Sequence, residues 1–360
     1  MCRSGFGLLI EFPLTSHEKT LMLISKVMLS VRTSHSVLTF IAGLNSRTAF
    51  EVLQKRNQLH GKTFASLVAS FIGFFCGLIG STAAVAMEAT STASPYVFSN
   101  TQVHPIKASS SDLKHQLIIT LPDSYHTQKE KAYPVVYYLD AYWDFPLLYA
   151  TYGNLRYDRA IPEVILVGLS VPTGTQINNY RSQYFSIQHE TQKKPITGQA
   201  ELLYKHVVQD IIPFVDSHYR TLTTPSGRVL AGQSMGGLFT LYGLMQKERA
   251  FERFIAINPA VVGSEQALDK LDQARPSRTL NARLFISHGS EEYAVFRDPI
   301  IKFKKQLQKH RYPGLLLRNH LLDGMGHTGG KGEAYSKGLL WVLQDLAPHE
   351  KSGLQVDMGG

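Results

Sequence analysis

The chain has 360 residues, of which 44% are hydrophobic and 18% charged, a composition typical of a globular protein with a substantial core. Its two cysteines, Cys2 and Cys76, exclude a framework of several disulfides and a zinc site built from cysteines. The formal net charge is +9, but residues 1–87 contain eight Lys and Arg against three Asp and Glu, which leaves residues 88–360 near +4. No basic stripe interleaved with aromatic residues is present, so we expect no nucleic-acid partner.

The N-terminal part of the chain contains an apolar segment at about residues 64–86. A basic stretch at residues 55–62 precedes it, and small residues with an A-x-A motif at 84–86 close it. This order indicates a secretory signal peptide, although the segment is also long enough for a membrane anchor. Three glycines and the small-residue end favour cleavage. We therefore predict a leader over 1–87, export to the periplasm, and a membrane partner only if the leader stays uncleaved.

Residues 88–112 are rich in Ser, Thr and Ala, which predicts a linker with an extended lead-in. From there, predicted strands and helices alternate. The strands are predicted at 114–122, 133–140, 163–170, 228–233, 254–260, 282–289 and 315–322, and the helices at 199–219, 235–247, 298–310 and 333–346. Pro213 is expected to kink the first of these helices or to start a second short one, and Asp298-Pro299 marks the start of the third. The alternation predicts one α/β domain over 113–347, with a mostly parallel sheet covered by helices and a flexible tail at 348–360.

The sequence Gly232-Gln233-Ser234-Met235-Gly236 joins a predicted strand to a predicted helix. A serine hydroxyl is a poor nucleophile at neutral pH, so it needs a base that takes its proton and donors that hold the oxyanion. A G-x-S-x-G turn is so sharp that larger residues two positions before or after the serine would clash, and it exposes the hydroxyl at the carboxyl end of the strand. The motif predicts Ser234 as a nucleophile and the Met235 N–H as an oxyanion donor. A plain turn between strand and helix is the alternative.

A histidine and two glutamates follow this serine at the ends of later predicted strands. His327 lies in a glycine-rich loop after the last strand, and Glu291 and Glu292 follow an earlier one. In this architecture the acid and then the histidine follow the serine along the chain. We therefore expect His327 to be the base and one of the two glutamates to orient its imidazole. His288 and His320 lie in or beside strands and are expected to be structural, with His288 also a candidate to line the pocket.

The second oxyanion donor is expected in the segment that follows the strand at 133–140, which we predict to be a loop. The backbone N–H groups of Ala141 and Tyr142 are the candidates. Tyr142 and Trp143 are also candidates for a wall of the substrate pocket, and ordinary packing explains these aromatic residues equally well.

Several segments together resemble one branch of a known superfamily. The stretches LPDSYHTQKEKAYPVVYYLDAYWDF, LLYKHVVQDIIPFVDSHYRT and AGQSMGGLFTLY are similar to the lead-in, a helix and the nucleophile turn of the esterase D-type branch of the α/β-hydrolases. That branch includes enterochelin (ferric-siderophore) esterases, feruloyl esterases, S-formylglutathione hydrolases and mycolyltransferases. The resemblance runs from about Leu113 to Leu346 and implies the α/β-hydrolase fold, with helices on both faces of the sheet.

The resemblance also implies roles for individual residues. Ser234 matches the nucleophile and His327 the base. Glu292 is favoured over Glu291, because the acid of this superfamily usually stands three residues after the glycine of an H-G-x-x-D/E stretch, here Gly289.

Other positions match the family less closely. Arg181 matches an arginine in the loop after the fourth strand, which implies that it borders the pocket, with a loop salt bridge as the alternative. Gln233 is a further pocket candidate. The family commonly has glycine where this chain has Ala141, and this departure puts the geometry of the oxyanion segment in question.

The functional hypothesis is an exported serine esterase that forms an acyl-enzyme on Ser234 and needs no metal or cofactor. Siderophore-type and other bulky esters are the first substrates to test, and the leader argues against S-formylglutathione hydrolysis, a cytosolic reaction. The first alternative is an acyltransferase that passes the same acyl group to a sugar or lipid alcohol. The second is a non-catalytic binding protein on a hydrolase scaffold, which is disfavoured because all three residue types of a triad occur in the correct order.

Overall fold

The computed structural model describes residues 96–188, 198–275 and 277–347. Within these ranges, eight strands form one sheet in the order β1-β2-β4-β3-β5-β6-β7-β8. The strands are β1 (Thr101–Lys107), β2 (Lys114–Thr120), β3 (Val135–Tyr138), β4 (Ile165–Ser170), β5 (Arg228–Gln233), β6 (Arg253–Ile257), β7 (Ala282–Gly289) and β8 (Leu315–Leu322).

Six neighbouring strands, from β4 across to β8, run parallel, while β1 and β2 are antiparallel to their neighbours. Every residue of β3, β4, β5 and β6 is buried, so these strands are runs of apolar residues without alternation, as parallel strands covered on both faces require. The prediction of a mostly parallel sheet is confirmed. Because parallel strands end at one edge of a sheet, the segments after β3 to β8 gather there.

Helices cover both faces of this sheet. They are α1 (Ala141–Tyr157), α2 (Ile177–Tyr184), α3 (Ala200–His206), α4 (Ile212–His218), α5 (Met235–Leu244), α6 (Glu265–Gln273), α7 (Ala294–His310) and α8 (Lys331–Val342), with short 3₁₀ turns at Asp123–His126 and Pro225–Gly227. Buried side chains of α1 and α8 share one core cluster, and those of α3 to α7 share the other. The α/β-hydrolase fold class is therefore confirmed. A π-helical turn, Val207–Ile211, joins α3 to α4, and Pro213 lies in the first turn of α4.

The prediction of a linker over 88–112 is wrong for residues Thr101–Lys107, which form strand β1. All side chains of this strand are exposed or half-buried, so it carries no apolar pattern that would reveal it. Its stabilisation comes from the backbone ladder with β2 and from a 3.0 Å hydrogen bond between the Thr101 and Thr120 hydroxyls. Pro105 is tolerated because β1 lies at an edge of the sheet.

Several helices also differ from the predictions. The segment after β3, predicted as a loop, forms the first turn of α1, and Arg181 lies in α2 rather than in a loop. Helix α7 begins at Ala294 instead of Asp298, because the N–H groups of Phe296 and Arg297 bond to the Tyr293 carbonyl and close a turn before Pro299.

The predicted leader over 1–87, with its apolar core at 64–86, and the predicted tail at 348–360 lie outside the described residues. Among the residues that the structure describes, no helix combines the length and the hydropathy that crossing a membrane requires.

Candidate active site

Ser234 occupies the sharp turn between β5 and α5. Its backbone has φ 58° and ψ −118°, a conformation that costs a non-glycine residue about 1–3 kcal/mol. Two backbone hydrogen bonds hold it there: the Ser234 N–H donates to the Ile257 carbonyl, and the Ala260 N–H donates to the Ser234 carbonyl, each at 2.9 Å. A Cβ at Gly232 would collide with the Gly236 carbonyl oxygen, so the turn requires glycine there. The serine is therefore fixed by the sheet, with its hydroxyl at the carboxyl edge.

His327 and Glu292 meet this serine in a continuous chain of hydrogen bonds. The His327 Nε2 lies 2.8 Å from the Ser234 Oγ, and the His327 Nδ1 lies 2.7 Å from the Glu292 Oε2. A carboxylate only accepts hydrogen bonds, so Nδ1 carries the imidazole proton and Nε2 is free to accept the serine proton. The structure thus brings together the three side chains that the sequence singled out from the ends of β5, β7 and β8.

The two neighbouring glutamates differ in their surroundings. Glu292 is 3% exposed, and its other carboxylate oxygen accepts a 2.9 Å hydrogen bond from the Tyr293 N–H. Glu291 is exposed, and its carboxylate hydrogen-bonds to the Ser290 hydroxyl at 3.3 Å. Of the two glutamates, Glu292 is the one that contacts the imidazole, and it is the one that the family resemblance implies.

The segment after β3 lies at the N-terminus of α1, so its first N–H groups have no partner within the helix. Asp140 precedes the helix in a left-handed conformation with φ 56°. The Ala141 methyl is buried against Gly168 of β4, where a Cβ would lie only 2.6 Å from the Ala141 Cβ. Gly168 in the neighbouring strand therefore leaves room for the methyl group of Ala141. The N–H groups of Ala141 and Tyr142, with that of Met235 at the start of α5, remain available to an oxyanion.

Arg181 borders this oxyanion segment from α2. Its Nε donates to the Asp140 carboxylate at 3.1 Å, and both side chains are largely buried. Burial raises the pKa of the Asp140 carboxyl, although the Arg181 charge opposes that shift. Burial and the nearby Asp140 charge raise the pKa of the Tyr142 hydroxyl to about 12. Arg181 thus forms the salt bridge that was the alternative prediction, and it stabilises the turn that presents the oxyanion donors.

Aromatic side chains occur in the oxyanion segment, directly after Glu292 and beside His327. Tyr142 and Trp143 of the oxyanion segment are exposed, as is Tyr293 directly after Glu292. The ring of Phe296 lies 5.1 Å from that of His327. The centre of the Trp143 ring also lies 3.9 Å from the Nζ of Lys331. Lys331 is buried and forms an ion pair with Asp144. Tyr142 and Trp143, both predicted to form a pocket wall, are therefore open to a ligand.

Two other predicted pocket residues are buried and contact neighbouring parts of the protein. The Gln233 side chain is 4% exposed, and its Nε2 donates to the His327 carbonyl at 2.8 Å, so it contacts the histidine loop instead. The His288 Nδ1 lies 3.2 Å from the Lys304 Nζ of α7. Burial, with the charges of Lys304 and Arg297, lowers the pKa of His288 to about 4, which leaves it neutral at physiological pH.

Sequence reasoning missed Asn258, which follows β6. Its Nδ2 donates to the carbonyl groups of Gly326 and His327. A polar residue at the carboxyl end of a parallel strand was the available indication.

In the described part of the chain, no three His, Cys, Asp or Glu side chains are arranged to hold one metal ion.

Residues 109–311 match the model of the family described as Putative esterase. The ferri-bacillibactin esterase BesA of Bacillus subtilis (strain 168) is 22% identical over 182 residues, which cover 47% of this chain and 62% of that relative. The match thus spans about three fifths of the relative's length.

Two solved structures share the fold. The BES protein from Bacillus cereus has a TM-score of 0.61 at 18% identity, and the match covers 71% of this chain and 99% of that one. The siderophore hydrolase EstB from Aspergillus nidulans has a TM-score of 0.59 at 16% identity, with 70% and 98% covered. At these identities the likeness shows the fold alone.

Proposed function

The chain belongs to the Putative esterase family, whose model matches more than half of its length, and from this premise we propose that it is a serine carboxylic-ester hydrolase. The observation that carries the proposal is the hydrogen-bonded chain from the Ser234 hydroxyl through His327 to Glu292. A serine activated in this way, beside helix N–H groups that can hold an oxyanion, meets the requirements of acyl transfer from an ester.

The proposed reaction proceeds through an acyl-enzyme. The Ser234 Oγ attacks the ester carbonyl carbon while His327 Nε2 takes the hydroxyl proton, and Glu292 stabilises the imidazolium that results. The N–H groups of Met235 and of Ala141 or Tyr142 bind the oxyanion. The tetrahedral intermediate then collapses, and the alcohol leaves with the proton from His327. Water attacks the acyl carbon with His327 as base, and the acid and the free serine are released.

We propose siderophore-type or other bulky aromatic esters as the substrate class. The relatives named above for ferri-bacillibactin and siderophore hydrolysis support this choice, and so do the exposed rings of Tyr142, Trp143 and Tyr293 beside the candidate site. Aromatic side chains offer large contact areas to flat aromatic groups, and stacked pairs contribute about 0.5–1.5 kcal/mol beyond the area that they bury.

Covalent labelling tests the nucleophile. We expect a fluorophosphonate to form one adduct on Ser234 in the folded protein, detected by peptide mass mapping. The heat-unfolded protein is the control and should not react, because its serine has lost its base. Absence of an adduct on Ser234 in the folded protein would contradict the proposal.

A panel of short-chain p-nitrophenyl esters, feruloyl esters and catecholate trilactones tests the substrate class. We expect turnover of the aromatic esters with a higher kcat/KM than that of the short-chain esters. Product that forms only after addition of a sugar or lipid alcohol would instead favour the acyltransferase.

We also propose export, supported by the apolar segment at 64–86 and the small residues that follow it. The expected result is a mature protein that begins after Ala86, measured by intact-mass spectrometry of the protein from its native cells. A mass that retains residues 64–86 would indicate a membrane anchor instead.

A further inference from the structure

We propose that Gln233 and Asn258 are positioning residues that fix the histidine loop and so set the distance between His327 and Ser234; this inference rests on the proposed function. The Gln233 Nε2 and the Asn258 Nδ2 donate to the same atom, the His327 carbonyl oxygen, at 2.8 and 2.6 Å. A carbonyl oxygen has two lone pairs, so the two amides satisfy it completely. Asn258 also donates to the Gly326 carbonyl at 3.2 Å.

Both amide side chains belong to residues that neighbour the backbone that fixes Ser234. Gln233 directly precedes Ser234, and Asn258 directly follows Ile257, whose carbonyl accepts the Ser234 N–H. The main chain of His327 is therefore tied to the same two strand ends as Ser234. Glu292 acts on the imidazole at Nδ1, whereas the amides act on the backbone. Two separate constraints thus define where Nε2 lies.

The conformation of Asn258 indicates that its position serves this contact. Its backbone has φ 41°, in the left-handed region, and its side chain is 1% exposed. Its Oδ1 is buried and has no hydrogen-bond partner within the described residues. Leaving a buried acceptor unpaired is unfavourable, and the fold accepts that cost while it directs the Nδ2 donor at the histidine loop.

The test replaces each amide with a group that cannot donate. Gln233→Met keeps the length of the side chain, and Asn258→Gly keeps the positive φ that glycine adopts freely. We expect each single variant to lower kcat about 10-fold and the double variant to lower it more than either single variant, because small displacements of a catalytic group have effects of this size. KM should stay unchanged, since both side chains are buried and their amides bond to the histidine loop.

Gln246→Met is the matched control. The Gln246 amide also donates to a main-chain carbonyl, that of Tyr242 at 3.1 Å, but at the far end of α5. The same substitution there should leave kcat unchanged. Thermal unfolding gives the folded fraction of each variant. If the double variant does not fold, the kcat values of the two single variants test the inference.

Proton NMR supplies a readout that is independent of turnover. An Nδ1–H donated to a buried carboxylate gives a far-downfield resonance, which we expect in the wild type and expect to be weakened or lost in the variants. Folded variants with wild-type kcat and an unchanged resonance would overturn the inference. A wild type that shows neither turnover nor labelling would overturn the proposed function instead, and the resonance would still decide the positioning role.

Discussion

Ser234→Ala is expected to lower kcat for p-nitrophenyl acetate on the order of 10⁶-fold, the loss that follows removal of a catalytic serine in a triad. The substitution removes the Oγ that would form the acyl-enzyme, and no other hydroxyl occupies its place at the turn. A stopped-flow or long-incubation assay with an active-site titration of the wild type measures the difference.

The fold should survive this substitution. Alanine can adopt the same backbone conformation as serine. The lost hydrogen bond to His327 contributes about 1 kcal/mol to the free energy of unfolding. Ser287→Ala is the control, because Ser287 is buried within β7 and its hydroxyl has no partner within the described residues. We expect wild-type turnover from it. Residual activity of Ser234→Ala above one per cent of the wild type would rule out this serine as the nucleophile.

Glu292→Gln should lower kcat about 10⁴-fold, as the equivalent change does in triads where the acid holds the histidine tautomer. A glutamine amide can face Nδ1 with a donor, which leaves Nε2 protonated and unable to accept the serine proton. It also carries no charge to stabilise the imidazolium. Its oxygen can still accept the Tyr293 N–H, so the loop should keep its conformation. Steady-state kinetics with circular dichroism separates these effects.

Glu291→Gln is the matched comparison. The Glu291 side chain is exposed, and the loop contact that this residue makes, a 3.0 Å hydrogen bond to the Met325 carbonyl, comes from its backbone N–H. The substitution leaves that contact intact, so we expect less than a twofold change in kcat. The reverse ranking of the two variants would identify Glu291 as the acid.

The central sheet was predictable because its strands are long apolar runs between clear breaks. The bounds of β7 and β8 agree with the predictions at 282–289 and 315–322. Strand β1 was not predictable, since its exposed side chains carry no pattern and a backbone ladder defines it. Helix α1 does have a helical spacing of buried residues, from Ala141 to Leu155, but its first residues were predicted as a loop.

The grouping of Ser234, Glu292 and His327 was predictable for a physical reason. Parallel strands end at one edge, so residues far apart in the chain meet there. The contacts of Gln233 and Asn258 were not predictable in the same way. A side-chain amide that binds a main-chain carbonyl depends on the path of the partner loop, and neither the spacing nor the composition of the sequence records that path.

The strand order has a consequence for how this protein would lose activity. Ser234 follows β5 in the middle of the sheet, whereas His327 follows β8, which pairs with β7 and forms an edge of the sheet that the described residues build. Edge strands open at lower free energy than a central sheet. Brief, reversible opening of β8 would therefore withdraw the histidine while the serine stays in place. On heating, activity should therefore be lost at a lower temperature than the one at which the core unfolds. Cooling should restore activity without refolding of the core.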